Sequence, residues 1–297
     1  MLVMEPMAAK HHVSFLILGA GWTSIFLIPQ LERERVTYAA TTTDGRDGTT
    51  RFKFDPESED QSQFEELPSA DTILITFPLK GKGPSAKLVK MYAATHSHES
   101  GNSKTPDPHY IQFGVTSIWT ASDWQDDSSP YDQQNPRAIA EDELMAQASA
   151  SVLSLAGLYG AARQPRDWVT RVKSKADLKA KGALHVVHGD DVARAVVALH
   201  RNFTPKKRWL ICDMHVYDWW DLTQDWAVQT LREAETGTSI SKEKLQQQSE
   251  LLQWVGELMQ EEKVRALPRD TSAVGRRLDG RGFWQEMGIW PVHGRIR

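Results

Sequence analysis

Short uninterrupted apolar runs, each closed by glycine, proline or aspartate, recur along the chain and alternate with segments whose apolar residues fall at helical spacing. The clearest run is Phe15-Leu-Ile-Leu18, which meets Gly19-Ala-Gly21-Trp-Thr-Ser24 and then a second apolar segment. Unalternated runs of this kind read as strands buried on both faces of a parallel sheet. The pattern predicts a strand over 13–18, a helix over 22–33 and a β-branched second strand over 36–42. Further strands are expected over 51–55, 71–77, 110–119, 151–155, 184–187 and 209–213. Helices are expected over 57–66 and 85–95, from Arg137 onward, from Asp190 to about His200, and through most of 216–264. Asp190 and Asp191 stand where N-capping carboxylates belong. Strands alternating with helices in this way predict an α/β fold with a doubly wound parallel sheet.

The turn after the first strand adds chemistry to that outline. In Gly19-x-Gly21-x-x-Ser24 the first glycine permits a tight turn, and the second leaves out the Cβ that would block a pyrophosphate. The third small residue lets the next helix pack closely, with its free N–H groups and positive dipole end toward the phosphates. Gly19, Gly21, Trp22, Thr23 and Ser24 are therefore candidate cofactor-binding residues in a Rossmann-type sheet. The tip of the second strand would read the adenosine ribose, and Asp44 lies 25 residues beyond Gly19 with Arg46 close behind. An aspartate there accepts from a free 2′-hydroxyl and an arginine pairs with a 2′-phosphate, so NADP and NAD both stay open, with NADP preferred. Thr76, Phe77 and Pro78 end a later strand and would face the same crevice.

Composition narrows the function classes. The chain has 297 residues, 40% hydrophobic and 25% charged, enough for one large α/β domain or two lobes. A net charge of −4 gives no general attraction to nucleic acid or anionic membranes. No apolar run reaches the ~18 residues needed to span a bilayer. The opening Met1-Leu-Val-Met-Glu-Pro lacks the pattern of a signal peptide, and the single Cys212 fits a reducing compartment, so a cytoplasmic protein is expected. His96 and His98 have no third ligand in register, and no metal site is expected. Eleven tryptophans, among them Trp119, Trp124, Trp168, Trp219 and Trp220, suggest a pocket for a flat or apolar substrate.

Several segments together resemble the extended and atypical short-chain dehydrogenase/reductases, the epimerase/dehydratase-like branch. They are Leu153-Ser-Leu-Ala-Gly157-Leu-Tyr159-Gly160-Ala-Ala-Arg163, His185-Val-Val-His188-Gly-Asp190-Asp191-Val-Ala-Arg194 and Trp209-Leu-Ile-Cys-Asp213, with Leu278 to Trp290 resembling the family's terminus. The resemblance implies a Rossmann core over 13–215, including part of a substrate lobe, and a mostly helical C-terminal lobe over 216–297. It also implies a Ser/Thr and Tyr-x-x-x-Lys arrangement in which tyrosine is the general acid/base. Here Val115 stands at the hydroxyl position with Thr116 and Ser117 after it, Gln133 stands at the tyrosine and Arg137 at the lysine. Thr116, Tyr131 and Arg137 are therefore the catalytic candidates, and Trp119 and Arg163 the substrate candidates. His188 resembles a structural histidine of the family and is expected to be scaffold, not a ligand. The expected function is an NAD(P)-dependent oxidoreductase or epimerase acting on a small, aromatic or apolar molecule, as a monomer or homodimer. A non-redox lyase, isomerase or cyclase on the same fold, or a nucleotide-sensing regulator, are the alternatives that the altered triad leaves open.

Overall fold

A computed structural model describes residues 12–96 and 106–296. The chain runs β1 (His12–Leu18), α1 (Ser24–Arg33), β2 (Tyr38–Thr42), β3 (Thr50–Arg51), α2 (Ser62–Glu65), β4 (Ser69–Ile75), α3 (Pro84–His96) and β5 (His109–Val115). It continues with β6 (Trp124–Gln125), α4 (Pro136–Gln147), β7 (Ala150–Leu155), β8 (Gly157–Tyr159), α5 (Lys175–Lys179), β9 (Ala183–Leu184), β10 (Val186–His188) and α6 (Gly189–Arg201). It ends with β11 (Arg208–Ile211), β12 (Tyr217–Asp218), α7 (Trp219–Glu235), α8 (Lys242–Glu261), β13 (Arg277–Leu278) and α9 (Arg281–Glu286).

Seven strands form one sheet in the order β11-β7-β5-β4-β1-β2-β3. The pairs β1–β2, β1–β4, β2–β3 and β4–β5 run parallel, with Leu16 opposite Ala39 on one side and Ile73 on the other. The order reverses between β1 and β4, the switch point at which doubly wound sheets bind ligands beyond their carboxyl ends. The doubly wound α/β fold expected from the apolar runs is present. Phe15, Leu16, Ile17 and Leu18 are fully buried, each side chain contributing about 1.5–3 kcal/mol of transfer free energy.

The chain divides into two compact units, each discontinuous in sequence. The first comprises residues 1–118, 132–154 and 192–209, and the second 119–131, 155–191 and 210–297. The expected boundary at 215/216 falls inside the last of the three segments of the second unit. The core of that unit gathers Tyr159, Val169, Tyr217, Trp220, Trp226, Leu251 and Leu258, with Trp168 and Trp219 packed against them. Trp220 donates its indole N–H to the Leu178 carbonyl. Trp168, Trp219 and Trp220 therefore serve this core, and their abundance carries no argument for an aromatic substrate.

Boundaries move where long-range pairing competes with local pattern. The strand expected over 110–119 ends at Val115, and Thr116–Ile118 form a 3₁₀ turn. The strand expected over 184–187 splits at His185, because β9 pairs antiparallel with β12 and β10 parallel with β8. The strand over 51–55 shrinks to Thr50–Arg51, and the surface helix over 57–66 to Ser62–Glu65. Lys175 pairs with Glu257 and Glu261, and Lys179 with Glu262, which ties α5 to α8.

Candidate functional site

The glycine turn lies at the carboxyl end of β1, in the first unit. Gly19 has φ +92°, a left-handed conformation that side-chain-bearing residues rarely adopt. Its N–H donates to Thr41 Oγ1 at 2.9 Å, and the Ala20 N–H donates to the Thr41 carbonyl at 2.6 Å. Its own carbonyl accepts from Thr76 Oγ1 at 2.5 Å and from the Gly21 N–H at 2.8 Å. A Cβ on Gly19 would stand 2.6 Å from Thr76 Oγ1. Gly21 is different: it is exposed, and a Cβ there would meet nothing nearer than the Gly19 carbonyl at 4.0 Å. The turn is thus braced from beneath by β2 and β4 while its outer side stays open.

The neighbouring candidates lie on the same edge of the sheet. Thr23 and Ser24 are buried at the start of α1, and Ser24 Oγ has no hydrogen-bond partner among the described residues. Trp22 is half-buried and packs edge-on against Phe26, with ring centroids 5.0 Å apart. Thr76 and Phe77 follow β4, with the Phe77 carbonyl accepting from the buried Gln112 side chain at 3.3 Å, and Pro78 is exposed. Past β2, the exposed Asp44 and Arg46 bond to each other at 3.0 Å. Hydrogen bonding to Thr42, reinforced by Arg46, holds the Asp44 carboxyl below its ordinary value. The two residues read from the sequence as alternatives therefore form one paired loop. Thr41, which the sequence reading passed over, is the residue that orients the turn, and the threonine-rich end of β2 was its only signal.

The catalytic candidates divide between the two units. Thr116 is buried immediately beyond β5, in the first unit. Arg137 opens α4 behind Pro136, capped by Asn135, whose side chain accepts from the Arg137 N–H at 3.0 Å. Its guanidinium donates to the Phe113 carbonyl inside β5 and stands 3.9 Å from Glu141. Glu141 is fully buried and accepts from Arg208, which also bonds Asp142 at 3.0 Å. Burial pulls the Arg137 guanidinium below its ordinary pKa and pushes the Glu141 carboxyl up, against the opposing pull of Arg208 and Arg137. Gly114 makes room for this network, since a Cβ there would lie 2.9 Å from Glu141 Oε1. Arg137, expected at the lysine position of a catalytic set, is here bonded to the sheet. Gln133 is exposed.

The remaining candidates belong to the second unit. Tyr131 is half-buried at the end of the 119–131 segment. Trp119 is fully buried, its indole donates to the Ser129 carbonyl at 3.2 Å, and its carbonyl accepts from Arg276 at 2.8 Å. Arg163 is exposed on a tight turn closed by paired backbone bonds with Gly160. Trp124 is exposed, with Arg277 over its ring. Cys212 is buried, which pushes its thiol up to about 12 and leaves it unreactive. Of the expected histidine pair, His96 faces the Tyr92 and Leu67 carbonyls with its two ring nitrogens, and His98 lies outside the described residues.

No protein-family model matches the sequence, and no curated protein matches it in sequence. Solved structures do match in fold. A functionally unknown conserved protein from Silicibacter pomeroyi superposes with a TM-score of 0.61 at 18% identity, covering 96% of this chain and 95% of that one. Vestitone reductase from alfalfa gives 0.58 at 16%, covering 95% and 94%. The human epimerase family protein SDR39U1, solved with NADPH, gives 0.54 at 10%, covering 95% and 96%. No helix among the described residues is long and apolar enough to cross a membrane. The chain shares the fold of these reductase and epimerase structures, a Rossmann-type doubly wound α/β fold.

Proposed function

We propose that the chain is an NAD(P)-binding enzyme of the short-chain dehydrogenase/reductase type, acting on a small molecule. The observation that carries the reading is the contrast within the glycine turn: Gly19 is locked by Thr41 and Thr76, whereas Gly21 opens onto free space that a pyrophosphate would fill. The residues present fit a dinucleotide. Gly19 to Ser24 would hold the pyrophosphate at the start of α1, and the Asp44–Arg46 loop would hold the adenosine ribose. When bound, the nicotinamide supplies hydride chemistry. The chain's own part is to orient the cofactor, to offer the Thr116 hydroxyl as a hydrogen-bond donor, and to move a proton through Tyr131. NADP is favoured, because Arg46 offers a charge-assisted partner to a 2′-phosphate.

One observation favours the non-redox alternative. Arg137 donates to the Phe113 carbonyl and stands 3.9 Å from Glu141, contacts that favour a structural part for it over that of a tyrosine-activating cation. Arginine also stays protonated where lysine can exchange its proton. Calorimetry with NADP⁺, NADPH, NAD⁺ and NADH tests the cofactor assignment, and heat from none of the four would refute it. Turnover with a candidate substrate then separates the chemistries. In the oxidoreductase reading Tyr131→Phe lowers turnover by roughly 10²–10⁴-fold with cofactor affinity intact. An unaffected Tyr131→Phe enzyme that Thr116→Val inactivates supports catalysis through a hydrogen-bond donor alone.

A further inference from the structure

His188, Asp190 and His293 come together in the second unit from three separate elements: the end of β10, the first turn of α6 and the C-terminal segment. Asp190 Oδ2 lies 3.3 Å from His188 Nδ1 and 2.8 Å from His293 Nε2. One ligand atom from each of the three falls within 4.8 Å of the other two. Ligand atoms around a tetrahedral zinc ion stand roughly 3.3 Å apart, given bonds of about 2.0–2.1 Å. We propose that this trio is a binding site for a divalent transition-metal ion, Zn2+ by its donor set, that clamps the C-terminal segment to the start of α6.

The surrounding contacts hold the three side chains close together. Gly160 leaves space for the far edge of His188, since a Cβ there would stand 2.5 Å from Nε2, and this turns Nδ1 toward Asp190. The Asp190 N–H donates to Nδ1 at 3.1 Å, which makes that nitrogen the acceptor, unprotonated as a metal ligand must be. A metal ion takes over that lone pair, releasing the N–H. Asp191 accepts from the Val292 and His293 N–H groups at 2.8 and 3.2 Å, so the backbone that carries His293 is held independently of any ion. The two imidazoles stack with centroids 3.5 Å apart and planes 23° apart. Both lone pairs reach one ion when His293, about a third exposed, turns its ring outward. Two imidazoles and one carboxylate form a nitrogen-rich set that prefers zinc, copper or nickel to magnesium or calcium, and they leave a fourth position for water.

The test is a Co2+ titration of the chelator-stripped full-length protein, followed by visible absorption, with Zn2+ measured by competition. The expected result is one equivalent bound with the spectrum of a four-coordinate site. His293→Ala and Asp190→Asn should each weaken binding at least about tenfold. His12→Ala, on the exposed histidine that pairs with Asp71, should leave it unchanged. As a second readout, Zn2+ should slow carboxypeptidase removal of the C-terminal segment in the parent and not in His293→Ala. An absent cobalt spectrum, binding that survives both ligand variants, or digestion that Zn2+ does not alter would each overturn the assignment.

Discussion

Gly19 and Gly21 sit two residues apart, yet their replacement should fail in different ways. At Gly19 any side chain meets both a left-handed backbone and Thr76 Oγ1 at 2.6 Å, so Gly19→Ala should lower stability by about 1–3 kcal/mol. At Gly21 the space is free, so Gly21→Val should keep the parent's unfolding midpoint and abolish nucleotide binding. Urea unfolding beside calorimetry checks both, and equal destabilisation by the two would remove the argument for a cradle. The loop after β2 is judged by Arg46→Ala, which should weaken NADP by about 1.5–3 kcal/mol and NAD far less. Equal weakening of both would put the discrimination elsewhere. A fourth residue, His185, carries a pH effect. His185 is buried between the His215 carbonyl, which faces Nδ1, and the Leu278 N–H, which donates to Nε2, so both nitrogens are satisfied in the neutral ring. Burial pushes its pKa down to about 4. A depressed histidine contributes stability that is present above about 6.5 and lost as pH falls toward 4, on the order of 3 kcal/mol. Asp213, pushed up to about 6 by burial, slopes the opposite way, so the difference between parent and variant is the quantity to measure. His185→Gln should erase that acid-side loss, and unchanged slopes would refute it.

At the scale of elements, the apolar runs identified β1, β4 and β7 because a strand buried on both faces needs no partner to look apolar. The starts of α4 and α7 are fixed by side-chain caps next to them in the chain, Asn135 and Asp218, which the sequence reading did not single out. Other features depend on residues far apart in the chain. The break at His185 is imposed by β8 and β12, and the fate of Arg137 by Phe113 and Glu141. Asp190 and Asp191, expected as helix caps, send carboxylate bonds to the C-terminal segment, about a hundred residues on, a pairing that no local spacing announces. The Arg137–Glu141–Arg208 network gives a test at this scale. Removing one partner of a buried ion set strands the others, so Glu141→Leu should cost about 3–5 kcal/mol. Adding Arg208→Met should recover a good part of that loss, because the remaining apolar pair needs no solvation. Urea midpoints of the two variants decide it, and a double variant no more stable than the single would show that the network does more than balance charge.

For the whole molecule, the sequence exposes which residue types are present, and the fold decides which of them meet. The positions of the glycine turn and of the ends of β2 and β4 follow the strand pattern directly, whereas Thr116 left its expected strand for a 3₁₀ turn. The second unit was not legible, because residues 119–131, 155–191 and 210–297 share no periodicity that would mark them as one body. Ligand linkage turns the two-unit organisation into a measurement. A nucleotide that binds only folded protein stabilises it by about 2.7 kcal/mol at a hundred times its dissociation constant. For a chain of this size that amounts to a rise of roughly 5 °C or more in melting temperature. The rise should be absent in Gly21→Val, and in hydrogen exchange the added protection should be greatest in β1, β2 and β4, which brace the turn. Adding a substrate then separates the two chemistries on the same sample. Loss of one nicotinamide absorbance equivalent per product makes the nucleotide a reactant. Product formed at constant absorbance shows that the nucleotide is not consumed, as either a non-redox reaction or an epimerisation that returns its hydride requires.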